Sequence, residues 1–296
     1  MSTQVTTAMT NAYSAAVHYT ASQEVAVLTK FFLQETQAGE ETYFDQIGVV
    51  DMADASSRHA DTVYTDTPHT RRRVTPVVSR LADLIDKPDR VKTAIDPSGP
   101  YARRHAEAWG RRLDDHIIDA AFANSSTGRD GSGTETWSSA GNIVAINFGG
   151  PNIGLTFAKV REAQRLLNNN NIPQEGRVAV VGDKEVDELM AISQATSGDY
   201  VSTRPLVEGE VGRWMGFNWV MSTRLGVVAG GGQDDHRRCI FGHRDGMMLA
   251  TYKPFEARVD ELPNKNYSTQ IWAEGIAGAT RMEAARMVEV ICDESP

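Results

Sequence analysis

The side chains best suited to chemistry cluster late in the chain, at Asp234, Asp235, His236, Cys239, His243 and Asp245. Carboxylate and imidazole together can hold a divalent metal or relay a proton. A metal-dependent hydrolase built on Asp234, His236 and His243 is the activity such a set would serve. The spacing matches no zinc pattern, however, and the cluster follows Gly230-Gly231-Gly232, where Asp and His commonly gather to make turns and stay hydrated. A solvated loop fits better. Gly149-Gly150 and the triple glycine do not continue into GxGxxG or into GK[ST] opening a helix, so they read as turns and not as phosphate cradles. The chain has no GxSxG elbow and no HExxH pair.

The basic residues form a second group: Arg71, Arg72 and Arg73, then Arg80, Arg103, Arg104, Arg111 and Arg112. Three readings stand. They could grip nucleic acid, meet carboxylates on a neighbouring chain through guanidinium forks, or be ordinary solvated surface. Acid exceeds base by 39 to 30, giving a formal net charge of −9. Extensive phosphate neutralisation needs the opposite surplus. Glu40 and Glu41 lie in an acidic opening segment, which favours the interface reading.

These groups need elements to hold them. At 296 residues the chain is long enough for a substantial core, in one large domain or two intimately joined ones. Its two cysteines, Cys239 and Cys292, suit a reducing compartment. No apolar run is long enough for a membrane helix, and the opening residues lack signal-peptide character. The expectation is a protein made in the cytoplasm, away from membranes.

Residues 1–45 carry one basic residue, Lys30, and one short apolar stretch at 25–33, read as a helix. An arm with so little core must dock elsewhere or stay mobile. Residues 46–80 read as strand, loop, strand, with β-rich pieces at 62–65 and 74–78: a long hairpin with little core of its own. An ordered arm of this kind is held either by a neighbouring chain or by the body of its own. Ala102, Ala106, Trp109, Leu113, Ile117 and Ala120 then recur at helical spacing, predicting a helix from about 99 to 124. Residues 124–141 read as a loop. Beyond them the pattern predicts helices at 156–167 and 183–192. Strands are predicted at 178–181, 217–222, 239–241, 247–252, 257–259, 268–276 and 287–292. The class is mixed α+β.

Several runs are specific in their order. They are LADLIDK at 81–87, DPSGPY at 96–101, WGRRLDDHIIDA at 109–120, LTFAKVR at 155–161, LVEGEVGRWM at 206–215, PNKNYSTQ at 263–270 and GATRME at 278–283. This series resembles the major capsid proteins of short-tailed double-stranded DNA phages, which have the Hong Kong 97 fold. The resemblance implies an N-terminal arm at 1–45, an extended loop at 46–80, and a peripheral domain with its spine helix at 81–144. It further implies an axial domain at 145–245 and shared C-terminal strands at 246–296.

The resemblance implies a subunit that is not an enzyme, takes no cofactor and has no catalytic or metal-binding residues. It would assemble into hexamers and pentamers of an icosahedral virion shell around double-stranded DNA, touched only weakly and non-specifically. Contacts between subunits are expected at Glu40, Glu41, Arg71, Arg72, Arg73, Asp234, Asp235, Arg237 and Arg238, where opposite charges can meet around a ring. A portal, a separate scaffolding protein and a decoration protein are the further partners it suggests. Some relatives cross-link their shells through a loop lysine. Residues 31–86 contain no lysine, so non-covalent locking is expected here.

Overall fold

The computed structural model describes residues 23–294 except 24, 55–56, 59–60, 63, 87–97, 138–140, 152, 192–211 and 229–234. In chain order the elements open with β1 (Leu33–Thr36), β2 (Thr42–Ile47), β3 (His69–Val74), β4 (Val77–Ile85) and α1 (Ser98–Ala121). Then come β5 (Ser125–Thr127), β6 (Gly133–Glu135), β7 (Ile143–Val144), α2 (Phe157–Asn169), β8 (Arg177–Val181) and α3 (Asp183–Ala191). The rest are β9 (Arg213–Trp214), β10 (Phe217–Met221), β11 (Val227–Val228), β12 (His236–His243), β13 (Met247–Leu262), β14 (Ser268–Arg281) and β15 (Met287–Asp293).

The chain divides into two compact units. The larger holds residues 27–77, 113–252 and 277–296; the smaller holds 1–26, 78–112 and 253–276.

In the larger unit a seven-stranded sheet runs β7-β15-β12-β8-β10-β9, with β11 on β12. β8 is RVAVV and is buried at every position, as a strand covered on both faces should be. α2 begins where Thr156 accepts the backbone N–H of Lys159 through its side chain, the N-cap device expected of threonine. Val160, Ala163 and Leu167 of α2 and Leu189 of α3 join Phe217, Phe241, Val288 and Val290 in one core. Phe217 and Phe241 meet edge to face with centroids 5.2 Å apart, a favoured aromatic geometry. A second sheet runs β2-β3-β5-β6.

The smaller unit consists of β4 from Val78, the first half of α1, and the long arms of β13 and β14. In the four-stranded sheet β1-β13-β14-β4, β4 is an edge. The Pro263–Lys265 turn joins β13 to β14, and Asn266 and Tyr267 follow it at φ 51° and 54°.

Several local expectations change. The 25–33 stretch is one 3-10 turn, Leu28–Lys30, followed by β1, because a buried aspartate of α1 fixes its backbone. The 124–141 segment contains the β5–β6 hairpin, whose partner is β3. The strands expected at 247–252 and 257–259 are one 16-residue strand. Residues 62 and 64–65 lie outside any strand, and residue 63 is not among those described.

Candidate inter-subunit surfaces

β2 and β3 form an antiparallel ladder in which Tyr43 faces Arg73, Phe44 faces Arg72 and Asp45 faces Arg71. Side chains alternate across a strand, so the three arginines do not act together. Arg71 and Arg73 share a face, and Arg72 points the other way into the body. Arg71 donates to Asp45, with Nη2 3.2 Å from Oδ2, and sits 5.5 Å from the Tyr43 ring centre. That hydrogen bond holds the Asp45 carboxyl below its ordinary value. Arg73 pairs with Glu41 at 3.2 Å. Arg72 is 8% exposed, donates to the Met282 carbonyl at 2.7 Å and pairs with Glu135. It pins the hairpin base.

Beyond that base the hairpin carries apolar side chains in water. Ile47, Val49, Val50, Met52 and Tyr64 are all exposed, Val49 at 89%, Met52 at 102% and Tyr64 at 91%. Isolated exposed hydrophobics are ordinary; a run of them on one projection marks a surface awaiting a partner. In the smaller unit, Val78, Leu81 and Leu84 on edge strand β4 are also exposed. A groove of about 340 Å³ lies between β4 and α1, lined by Leu81, Ala108, Trp109 and Phe255.

The remaining charged positions are occupied differently. Glu40 and Asp235 are exposed, and Asp234 lies outside the described residues. Arg237 is buried. It pairs with Asp183 and Glu294, each at 2.9 Å, and approaches Glu185 at 3.6 Å. The Glu294 carboxyl is pushed up to about 7 by burial and by the neighbouring Glu185. Arg238 pairs with the buried Glu289, which also accepts the Trp137 indole N–H, and lies 4.7 Å from the Phe122 ring centre. Both guanidiniums thus have partners within their own chain.

The hydrolase constellation does not assemble. His236 and His243 stand at the two ends of β12, seven residues and roughly 23 Å apart at strand rise. His243 is buried, with Nε2 2.8 Å from the Glu175 carbonyl and Nδ1 accepting the Asp245 backbone N–H. One metal ion cannot reach both imidazoles.

Three buried polar residues escaped the sequence reading. Asp114 on α1 accepts the backbone N–H groups of Val27 and Leu28 at 2.9 and 3.0 Å. Arg281 donates to the Ala121 and Ala123 carbonyls at 3.0 and 2.7 Å, satisfying acceptors that the end of α1 leaves without helical partners. Arg177 holds the Asn168 side chain at 2.7 Å and the Pro173 carbonyl at 2.9 Å after α2. Ala26, Leu28 and Phe32 are buried, and β1 pairs in parallel with β13. The arm from Ala26 to Thr36 is therefore docked on its own chain. Of the two ways in which the arm could be held, by a neighbour or by its own body, the part from Ala26 to Thr36 uses the body.

The phage capsid protein family model matches residues 5–294, and the chain belongs to that family. It is a structural subunit of the virion capsid, a protein that works by associating with its own copies. Solved phage structures share its Hong Kong 97-like fold. A structure from Mycobacterium phage Che8 is 18% identical with a TM-score of 0.70, covering 95% of this chain and 96% of that one. The capsid asymmetric unit of cyanophage Pam1 is 14% identical with a TM-score of 0.73, covering 96% of each chain. The capsid of cyanophage P-SCSP1u is 13% identical with a TM-score of 0.71, covering 97% and 94%. No curated protein matches. Among the described residues no helix is long and apolar enough to cross a membrane.

Proposed function

We propose that this subunit closes into hexamers and pentamers of an icosahedral shell around double-stranded DNA, with the hairpin at 46–80 lying over the adjacent subunit. The observation that carries this is the exposure of Ile47, Val49, Val50, Met52 and Tyr64 on a hairpin whose base Arg72 fixes to the body. A neighbouring copy covering Val49, Met52 and Tyr64 removes from water area worth about 25 cal/mol per Å². Heterologous contacts of this kind close into rings.

In this reading residues 1–45 are the arm and 81–144 the peripheral domain. Residues 145–245 form the axial domain, and 246–296 are strands shared by both. Glu40, Glu41, Asp234, Asp235, Arg71 and Arg73 are the charges available across interfaces. Arg71 and Arg73 hold exposed partners, and such pairs contribute only about 0–1 kcal/mol, so exchanging a carboxylate of the same chain for a neighbour's costs little. Arg72, Arg237 and Arg238 instead keep their own subunit rigid.

Assembly in the bacterial cytoplasm with a separate scaffolding protein and a portal, and a decoration protein on the finished shell, completes the proposal. The absence of lysine from 31–86 supports non-covalent locking. Negative-stain microscopy of the purified protein tests the function: closed shells, or rings of five or six, are expected, and a protein that stays a monomer or dimer contradicts it. Boiling particles in detergent should release single chains; ladders of linked subunits would refute non-covalent locking.

A further inference from the structure

Both cysteines lie in the larger unit, on neighbouring strands of the seven-stranded sheet. In the β12–β15 register Arg237 faces Cys292 and Cys239 faces Val290, so the cysteines are offset by two residues and share a face. Helix α3 brings Glu185 to the same point. The two sulfurs and one Glu185 carboxylate oxygen all lie within 4.8 Å of one another, and the three residues are 0–1% exposed.

The arrangement does not suit a disulfide. Diagonal neighbours on antiparallel strands stand roughly 7–8 Å apart, whereas a disulfide needs Cβ atoms about 3.5–4.5 Å apart. Two thiolates joined through a metal ion bridge a longer gap, because each zinc–sulfur bond adds about 2.3 Å.

A second observation points to a missing partner. Glu185 Oε2 accepts the Gly182 backbone N–H at 3.1 Å, whereas Oε1 is buried and receives no N–H donor, its carboxyl neighbour being Glu294. An unsatisfied buried carboxylate oxygen costs about 1–3 kcal/mol or more, so native structures usually supply a donor or an ion. The surroundings are acidic as well. Asp183, Glu185 and Glu294 all converge on the single guanidinium of Arg237.

We propose that Cys239, Cys292 and Glu185 form a structural zinc site in which two thiolates and one carboxylate bind the ion, with Glu294, which shares Arg237 with Glu185, available to complete the set. Soft thiolates select zinc over magnesium or calcium. Binding takes up one zinc ion and releases the two thiol protons to solvent. The ion would tie β12, β15 and α3 together, and no catalytic role is implied. This site is separate from the Asp234, His236 and His243 set and does not depend on the shell proposal.

The test uses the full chain, purified without chelator and dialysed against zinc chloride, with metal content measured by mass spectrometry. Cobalt chloride serves as the spectroscopic probe. About one zinc per chain is expected, together with a thiolate-to-cobalt charge-transfer band in the near ultraviolet. The band should vanish in Cys239→Ala/Cys292→Ala and weaken in Glu185→Gln. Chelation should lower the melting midpoint of the wild type and leave the double alanine variant unmoved. Should that variant fail to fold, the wild-type metal content and cobalt spectrum decide alone. Substoichiometric zinc, or bound cobalt without the charge-transfer band, would overturn the site and leave two thiols packed as core.

Discussion

The carboxylate of Asp114 accepts the backbone N–H of Leu28 at 3.0 Å, and both residues are fully buried. One side chain of the long helix thus anchors the backbone of the arm at Val27 and Leu28. Replacing Asp114 by Ala strands the buried donor of Leu28 and the half-buried donor of Val27, at a cost of about 2–4 kcal/mol. Thermal denaturation should register the loss, and limited proteolysis should cut newly near residues 26–32. A variant with wild-type melting and wild-type protection there would contradict the anchoring role.

Arg71 and Arg72 are adjacent, but they should respond very differently to truncation. Arg71→Ala removes an exposed pair with Asp45 and should change subunit stability by less than about 1 kcal/mol. Arg72→Ala removes a buried guanidinium from Glu135 and the Met282 carbonyl and should cost about 2–4 kcal/mol, less than a fully buried pair because Glu135 is partly exposed. Denaturant titration of both variants checks the ratio. Equal losses would mean that the alternation of the strand does not govern their roles.

Gly278 has no room for a side chain. An added Cβ would lie 2.5 Å from the Thr75 carbonyl oxygen and 3.0 Å from a Val74 methyl. The first contact is backbone, which cannot rotate away. Gly278→Ala should therefore destabilise by about 1–3 kcal/mol, read as a lower melting midpoint. A neutral alanine would show that β14 and the end of β3 are less closely packed.

In the smaller unit, hydrogen bonds from Arg80 and then Lys253 hold the Glu274 carboxyl below its ordinary value of 4.5. A carboxyl depressed on folding adds stability that is present above the unfolded value and is lost as pH falls through the folded one. Stability should thus decline below pH 4.5, and Glu274→Gln should flatten that part of the decline. An unchanged acid limb in the glutamine variant would sink this assignment.

The periodicity of Ala102, Trp109, Leu113 and Ile117 made the long helix legible, and the apolar run at 178–181 did the same for the buried strand β8. These elements are set by local spacing. The 3-10 turn at Leu28 was not legible, because the group that dictates it lies 86 residues away on Asp114. Strands β5 and β6, three residues each, are too short to carry an alternating pattern; β5 exists because β3 offers it an edge, and β6 because β5 does.

Residue type alone does not separate Arg72, Arg237 and Arg281 from solvated arginines. Only pairing across the sheet and at a helix end buries them. The apolar residues from Ile47 to Tyr64 were written in the sequence. That Val49 and Met52 face water could be learned only once the base of the hairpin was placed.

The shell account rests on that exposed apolar tip being covered by a neighbouring copy. The direct measurement is assembly of Val49→Asp/Met52→Asp, followed by sedimentation and negative-stain microscopy alongside the melting midpoint of the unassembled subunit. Both side chains are solvated in the lone chain, so the midpoint should stay at the wild-type value while closed particles disappear. Wild-type yields of intact shells from this variant would contradict the account.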